Sequence, residues 1–440
     1  MVPTAWADRD KLLELIEILH KKGTLGDDEY RQLMGAATGS PPLSEPAKSA
    51  PAVPLPEVKS SGGVAIRSAD GAHALQLGGR LQLDAGFFQD GDLDLADGSE
   101  LRRARLDLSG RVARDWKFKL AYDFADNKVD DKTAVIQYEG LGVGALKVGL
   151  FSIPFGLSEA TGSLHATFME EAMVVNAFKP DDRIGVGWEA GGEAWSAFVA
   201  LFGENAGSNE VDDEARGLAV RLTWAPYVHP DGVLHVGGSW LYQVADSLAE
   251  GNKDLDGDGL TGEVVRMARF RARPEVHVNQ GRLVDTGSLS DVDAWQTAGL
   301  ELAAVHGPWS VEGEVFRTRV EREAGREDVV FSGYYTSLSW FLTGESRRYQ
   351  AKEGAFGRVY PVQEFAPGSG GWGAWEVAAR YSVLDLTDQS VTGGVERNTT
   401  LALNWYPNSR LRWMANYLWV DATTLRNDPQ LFTMRLQVDF

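Results

Sequence analysis

The chain has 440 residues, 24% of them charged, a formal net charge of -20 and no cysteine. The negative balance excludes nucleic acid as a partner, and the missing cysteine excludes disulfides and thiolate metal sites. No apolar run of about 18 residues occurs, so a membrane-spanning helix is excluded as well, while 49 Gly, 14 Trp, 12 Tyr and 18 Phe suit tight turns and aromatic belts.

Residues 1–7 read as a signal-peptide remnant, because Ala5-x-Ala7 stands before Asp8 like the tail of a secretory cleavage site. Residues 8–35 carry Leu12, Leu15, Ile16 and Leu19 on one helical stripe, ended by Gly23, with Asp27 or Asp28 placed to cap a second short helix. Leu12, Leu15 and Leu19 also fit a heptad seam, so this segment reads either as a small trimeric coiled coil or as a helical hairpin. Residues 36–73 hold Pro41, Pro42, Pro46, Pro51, Pro54 and Pro56 among Ala and Ser, the composition of a semi-extended linker. A head held away from the rest in this way suits a periplasmic contact, with peptidoglycan or a partner, through residues 8–60.

From residue 74 to residue 440 the period is two. Leu81, Leu83, Ala85 and Phe87 alternate with Arg80, Gln82 and Asp84; Trp116, Phe118, Leu120 and Tyr122 alternate with Lys117, Lys119 and Asp123; the last strand alternates Phe432, Met434, Leu436, Val438 and Phe440 with Thr433, Arg435, Gln437 and Asp439. The polar faces carry charges that a dry core rejects and a water-filled interior accepts, which predicts a closed antiparallel barrel with an oily outside and a wet lumen. Connections alternate between short ones, such as Arg114-Asp115, Gly142-Val143 and Tyr406-Pro407-Asn408, and longer ones at 89–99, 152–182, 204–215, 386–393 and 424–428. A direct tally gives seventeen strands, an odd number that cannot return both ends to one side. Parity breaks between 246 and 291, where Pro274 interrupts the run. Sixteen strands follow if 246–291 is one long outer loop, part of it turned into the pore. The segment 159–182 is the loop expected to set the eyelet, and the insertion 344–372, at a periplasmic turn, is long enough to fold inward.

Arg80, Arg103, Arg105, Arg111, Lys117 and Lys119 fall on the polar face of the first three strands. Arg102 falls on the other face by strict alternation and needs a bulge to reach the lumen. A guanidinium grips two oxygens of an oxyanion and an ammonium acts as a point charge, so these residues suit anion passage, unless Asp84, Asp107 and Asp123 pair with them to form the balanced wall of a general diffusion pore. Asp254, Asp256, Asp258 and Gly259 open like a calcium loop, but Val265 stands where that loop needs Glu, and a solvated acidic tip is the competing reading. No H-E-x-x-H, G-x-S-x-G or phosphate-cradling glycine loop is present, and His235 on a polar strand face has no identifiable catalytic companions. Neither an enzyme nor a cofactor is expected.

Seven pieces, in order over about 75–440, resemble the phosphate-selective porin O/P family of bacterial outer membranes. They are Leu101 to Leu106, Asp115 to Lys119, Gly149-Leu150-Phe151 with Pro154 to Leu157, Arg221 to Pro226, Phe341 to Arg347, Gly373 to Ser382, and Asn404 to Asn408. The resemblance implies an all-β, sixteen-stranded homotrimeric barrel in outer-membrane lipid, narrowed by infolded loops and passing small anions such as phosphate. It places the family's constriction arginines at Arg102 and Arg103, a lysine at Lys117, a first-strand arginine at Arg80 and an arginine-rich loop at Arg269, Arg271 and Arg273.

Overall fold

The computed structural model describes residues 5–38, 57–59, 63–89, 96–125, 129–203, 216–249, 264–278, 281–323, 325–425 and 428–440. Two compact units divide between Leu55 and Pro56. In the first, α1 (Ala5–Lys21) and α2 (Asp27–Thr38) are joined through Gly23, whose φ of 70° is the left-handed turn that glycine takes without a Cβ penalty. Ile16 is buried within this hairpin, and Leu12, Leu15 and Ile18 are exposed.

The second unit is a barrel of sixteen antiparallel strands. They are β1 (Ala74–Gln89), β2 (Gly98–Val112), β3 (Trp116–Asp123), β4 (Asp130–Tyr138), β5 (Ala145–Ser152), β6 (Asp182–Gly191), β7 (Trp195–Phe202) and β8 (Gly217–His229), followed by β9 (Gly232–Val244), β10 (Val292–His306), β11 (Trp309–Arg322), β12 (Val329–Phe341), β13 (Ala374–Asp388), β14 (Val391–Tyr406), β15 (Leu411–Ala422) and β16 (Gln430–Asp439). β16 closes on β1, with Gln430 opposite Gln89 and Asp439 opposite Arg80. Closure leaves no sheet edge. A short ribbon, 57–59 with 64–67, pairs with the start of β1 beyond the reach of β16.

Alternation sorts the two faces. Leu81, Leu83, Phe87, Leu300 and Leu302 are exposed on the outside, whereas Gln82, Asp84, Thr297, Glu301, Asn398, Thr400 and Arg435 are buried inside. Outward aromatics gather at the short-turn end, where Trp309 stacks on Trp340 and Trp375 on Trp405 with ring centroids 4.9 and 5.6 Å apart. A second belt at the opposite end includes Tyr334, Tyr381, Tyr417 and Trp419. Amphipathic rings at two levels are the mark of the two interfaces of a bilayer.

The stretch 264–268 does not join the wall. It pairs with 246–249 and 289–290, while 271–272 pairs with 284–285. This loop packs Phe270, Ala272, Val284 and Leu289 against Phe316, Phe331, Leu384 and Leu386 of the wall. Burying each large side chain contributes about 1.5–3 kcal/mol, which holds the loop inside the lumen. One expected long connection is absent: strands β13 and β14 extend to Asp388 and from Val391, so the stretch around 386–393 is a two-residue turn. Thr387 and Thr392 prolong the ladder past a bulge, which local polarity had masked.

The insertion between β12 and β13 enters from the short-turn end. The Arg347 guanidinium bonds Glu312 at 2.7 Å and lies 3.9 Å over the Phe356 ring. Phe356 packs with Leu157, Ala225, Val233, Ala303 and Val305. Arg221 holds the Gly354 carbonyl at 2.7 Å, and Arg358 ties the far limb to Asp439 at 2.9 Å. His235 lies between Tyr349 at 2.6 Å and Glu301 at 3.3 Å, as a strut between wall and insertion.

Candidate functional site

The eyelet starts where residues 153–181 leave β5 and turn into the barrel. Glu314 on β11 accepts hydrogen bonds from the N–H groups of Leu157 at 3.2 Å and Ser158 at 2.6 Å, and from the Tyr335 hydroxyl at 2.8 Å. A wall carboxylate thus satisfies the first donors of α3 (Leu157–His165). Gly156 is required here: its φ is 91°, and a Cβ would stand 2.2 Å from the Glu314 carboxylate. Helix α3 crosses the lumen to β1, where Arg80 donates to the Ser163 hydroxyl at 3.1 Å.

Beyond α3 the chain runs along the opposite wall, and arginines grip its carbonyls. Arg412 donates to Ala166 at 2.6 Å and Thr167 at 3.1 Å, Arg380 to Glu170 at 3.0 Å, and Arg435 to Met169. Helix α4 (Met173–Phe178) is apolar and buried against the second infolded loop. Glu275 of that loop accepts from Arg380 and Ser382 at 2.5 Å and from Thr400 at 3.0 Å. Both loops are therefore fastened to the β12–β16 side, and the open space lies along β1–β6.

That space is a cavity of about 1010 Å³ lined by Arg80, Arg102, Arg103, Arg105, Lys119, Lys132, Lys179, Arg271, Arg273 and Arg282, with Asp123, Glu159, Glu170 and Glu171 among the facing carboxylates. The β1–β2 ladder is bulged at Arg102: Gln82 opposes Arg103 and Leu83 opposes Leu101. The extra residue points Arg102 and Arg103 into the lumen together. Arg102 forks onto Glu170 at 2.9 and 3.0 Å. Arg103 donates to Gln82 at 2.8 Å, and its buried Nε has no hydrogen-bond partner. Arg105 pairs with Asp123 at 2.8 Å. Lys119 reaches the cavity and makes no ion pair among the described residues. Lys117 lies nearer the short turns, paired with Glu139, which also accepts from Arg111 at 3.1 Å. Arg269 is bound to Asp285 at 2.7 and 2.5 Å, and it lines the cavity together with Arg271 and Arg273. Asp254, Asp256 and Asp258 lie outside the described residues.

Several residues that shape the site were not singled out from the sequence. Arg380, Arg412 and Arg435 sit on the polar faces of their strands, so alternation marked them as inward. Nothing in the local pattern showed that loop carbonyls would engage them. Lys179 is the second omission. Its ammonium lies 2.9 Å from Glu159, 2.8 Å from Glu171 and 3.6 Å from Asp181. Burial opposes ionisation of both glutamates, but Lys179 and the Ser152 hydroxyl pull Glu159 down to about 2. Glu171 is pushed up to about 7 by burial, with Lys179 pulling back and the charge of Glu159 adding to the rise. As pH rises through about 7, Glu171 ionises and adds a negative charge to the cavity wall. Anion current through the pore should therefore fall across that window. Recording the current between pH 6 and 8 checks this, and Glu171→Gln should flatten the dependence; an equally steep curve in the variant would refute the assignment.

A family model for phosphate-selective porins O and P matches residues 75–440. Porin O of Pseudomonas aeruginosa is 28% identical over 417 residues, covering 87% of this chain and 92% of its own. An uncharacterized protein of Caulobacter vibrioides is 31% identical over 425 residues, covering 92% of this chain and 80% of its own. Among solved structures, a loop L8 deletion mutant of OmpT, an outer membrane protein of Vibrio cholerae, superposes with a TM-score of 0.53 at 11% identity, over 84% of this chain and 100% of that one. An anion-selective porin from Comamonas acidovorans does so with a TM-score of 0.51 at 12% identity, over 84% and 100% of the two chains.

Proposed function

This chain belongs to the phosphate-selective porin O and P family, and from that premise we propose that it conducts small anions, phosphate first among them, through the basic corridor along β1–β6. The protein is a channel of the bacterial outer membrane and not an enzyme. The homotrimer is the assembly we assign to it, by analogy with its porin relatives.

Arg103 carries the reading. It is largely buried in the lining of the corridor, with an unpartnered Nε. A buried donor left without a partner is costly, and an oxyanion in transit is the group that would satisfy it. Arg80 and Lys119 flank it without ion pairs among the described residues. Several donors in file let an anion shed water stepwise without being trapped. The competing reading, a balanced diffusion pore, draws on the pairs Arg105–Asp123 and Arg435–Asp84. Those pairs lie against the wall, and the cations they leave over face the opening.

Zero-current potentials in planar bilayers under a salt gradient test the reading: the sign should be that of anion preference, and a cation-selective potential would reject it. Arg103→Ala should raise the phosphate concentration that half-blocks chloride current roughly ten- to hundredfold, as expected for loss of one charge-assisted contact worth about 1.5–3 kcal/mol.

A further inference from the structure

The constriction already holds an anion of its own. Glu170 lies 2.9 and 3.0 Å from two nitrogens of Arg102, 2.6 Å from Arg435 and 4.0 Å from Arg103. The arrangement at Arg102 is the two-bond fork by which a guanidinium grips a carboxylate or a phosphate alike. Glu170 also lines the cavity, so the carboxylate borders the path. Burial opposes its charge, yet Arg102, Arg435 and Arg103 hold the carboxyl well below the usual carboxylate range. The three guanidinium groups thus favour its anionic form.

We propose that Glu170 is a tethered competitor for the passing anion: it occupies the Arg102 fork at rest, and a solute oxyanion must share or displace it to reach Arg102 and Arg103. The proposal rests on the anion-conducting reading above and adds a specificity-determining residue to it.

The backbone around Glu170 is arranged to keep the competitor local. Its carbonyl is held by Arg380 at 3.0 Å, and the preceding carbonyl by Arg435. The main chain is thus clamped from the wall, and Arg435 steadies one carboxylate oxygen at 2.6 Å, so the freedom left to the side chain is at the Arg102 fork. Arg435 would not follow an anion into the path, since Asp84 holds it by two bonds of 2.7 Å. Arg102 has no carboxylate partner besides Glu170 among the described residues. The competitor consequently sets how tightly Arg102 can hold a solute. With the fork empty, a doubly charged oxyanion would bind strongly and leave slowly. With the carboxylate returning to the fork, the solute is released. Conduction needs this balance, because a site must be favourable enough to enter and weak enough to leave.

The test uses the full-length protein in planar bilayers, with chloride as carrier and inorganic phosphate as blocker. Glu170→Gln keeps the shape and removes the charge. The half-blocking phosphate concentration should fall on the order of tenfold, the factor for about 1.4 kcal/mol, and single-channel phosphate conductance should fall with it because release slows. A half-blocking concentration equal to that of the parent, in a variant with the parent's chloride conductance, would overturn the proposal. A purely structural role predicts the opposite direction, with the loop loosened and block weakened. If the glutamine variant does not assemble, Glu170→Asp retains the charge but shortens the reach to the fork; tighter block supports competition and unchanged block rejects it. A parent channel that is cation-selective, or unaffected by phosphate, would instead sink the anion-conducting reading itself.

Discussion

Replacing Arg435 by Met should cost about 3–5 kcal/mol of barrel stability, the range for removing one partner of a buried ion pair, and should free the eyelet loop. Arg435 is wholly buried on β16 and does three things at once. It holds Asp84 through two bonds of 2.7 Å, Glu170 at 2.6 Å and the carbonyl of Met169. Methionine fills the space of the aliphatic stem but leaves the Asp84 carboxylate buried without a cation and the Met169 carbonyl without its donor. The urea midpoint of the refolded protein should drop, and single-channel traces should become noisy with reduced ion selectivity as residues 166–170 leave the wall. Adding Asp84→Asn should recover part of the lost stability, since the stranded charge is then gone. A single variant with the parent's urea midpoint and quiet, selective channels would show that the guanidinium does not anchor the loop.

The insertion between β12 and β13 should have the largest effect on conductance. Replacing residues 345–371 by a two-residue turn should raise the single-channel current severalfold and admit solutes that the parent excludes. The limb from Arg347 to Arg358 takes up the short-turn half of the lumen on the β8–β12 side, with Phe356 at its centre. Removing it need not unfold the wall. Arg221 and Glu301 remain paired at 2.9 Å, and Asp439 keeps Arg410 at 3.2 Å after losing Arg358. An unchanged current would mean that the insertion lies outside the conducting path.

Much of the architecture was legible in the residue order. Alternation of Leu81, Leu83 and Phe87 with Arg80, Gln82 and Asp84 assigns the faces of β1 because successive side chains of a strand point oppositely by geometry. Parity then removed 264–278 from the wall, since an antiparallel barrel returning both ends to one side needs an even count. The bulge at Arg102 was legible for the same reason: a charge on the oily face is too costly to leave there. The two-residue turn at Gln389 and Ser390 was not, because a polar strand end above the bilayer looks like a loop.

The sequence by itself determined which side chains face water and how many strands enclose it, as both follow from backbone period and topology. Which cations remain free for a solute was decided only by the tertiary structure. Arg435 and Arg103 carry the same inward signal, yet one is bound to a carbonyl 266 positions away along the chain and the other keeps an unused donor. The physical reason is that a guanidinium takes whichever carboxylate or carbonyl the infolded loops bring within about 3 Å, and where a loop comes to rest is set by packing among distant segments that no local pattern records.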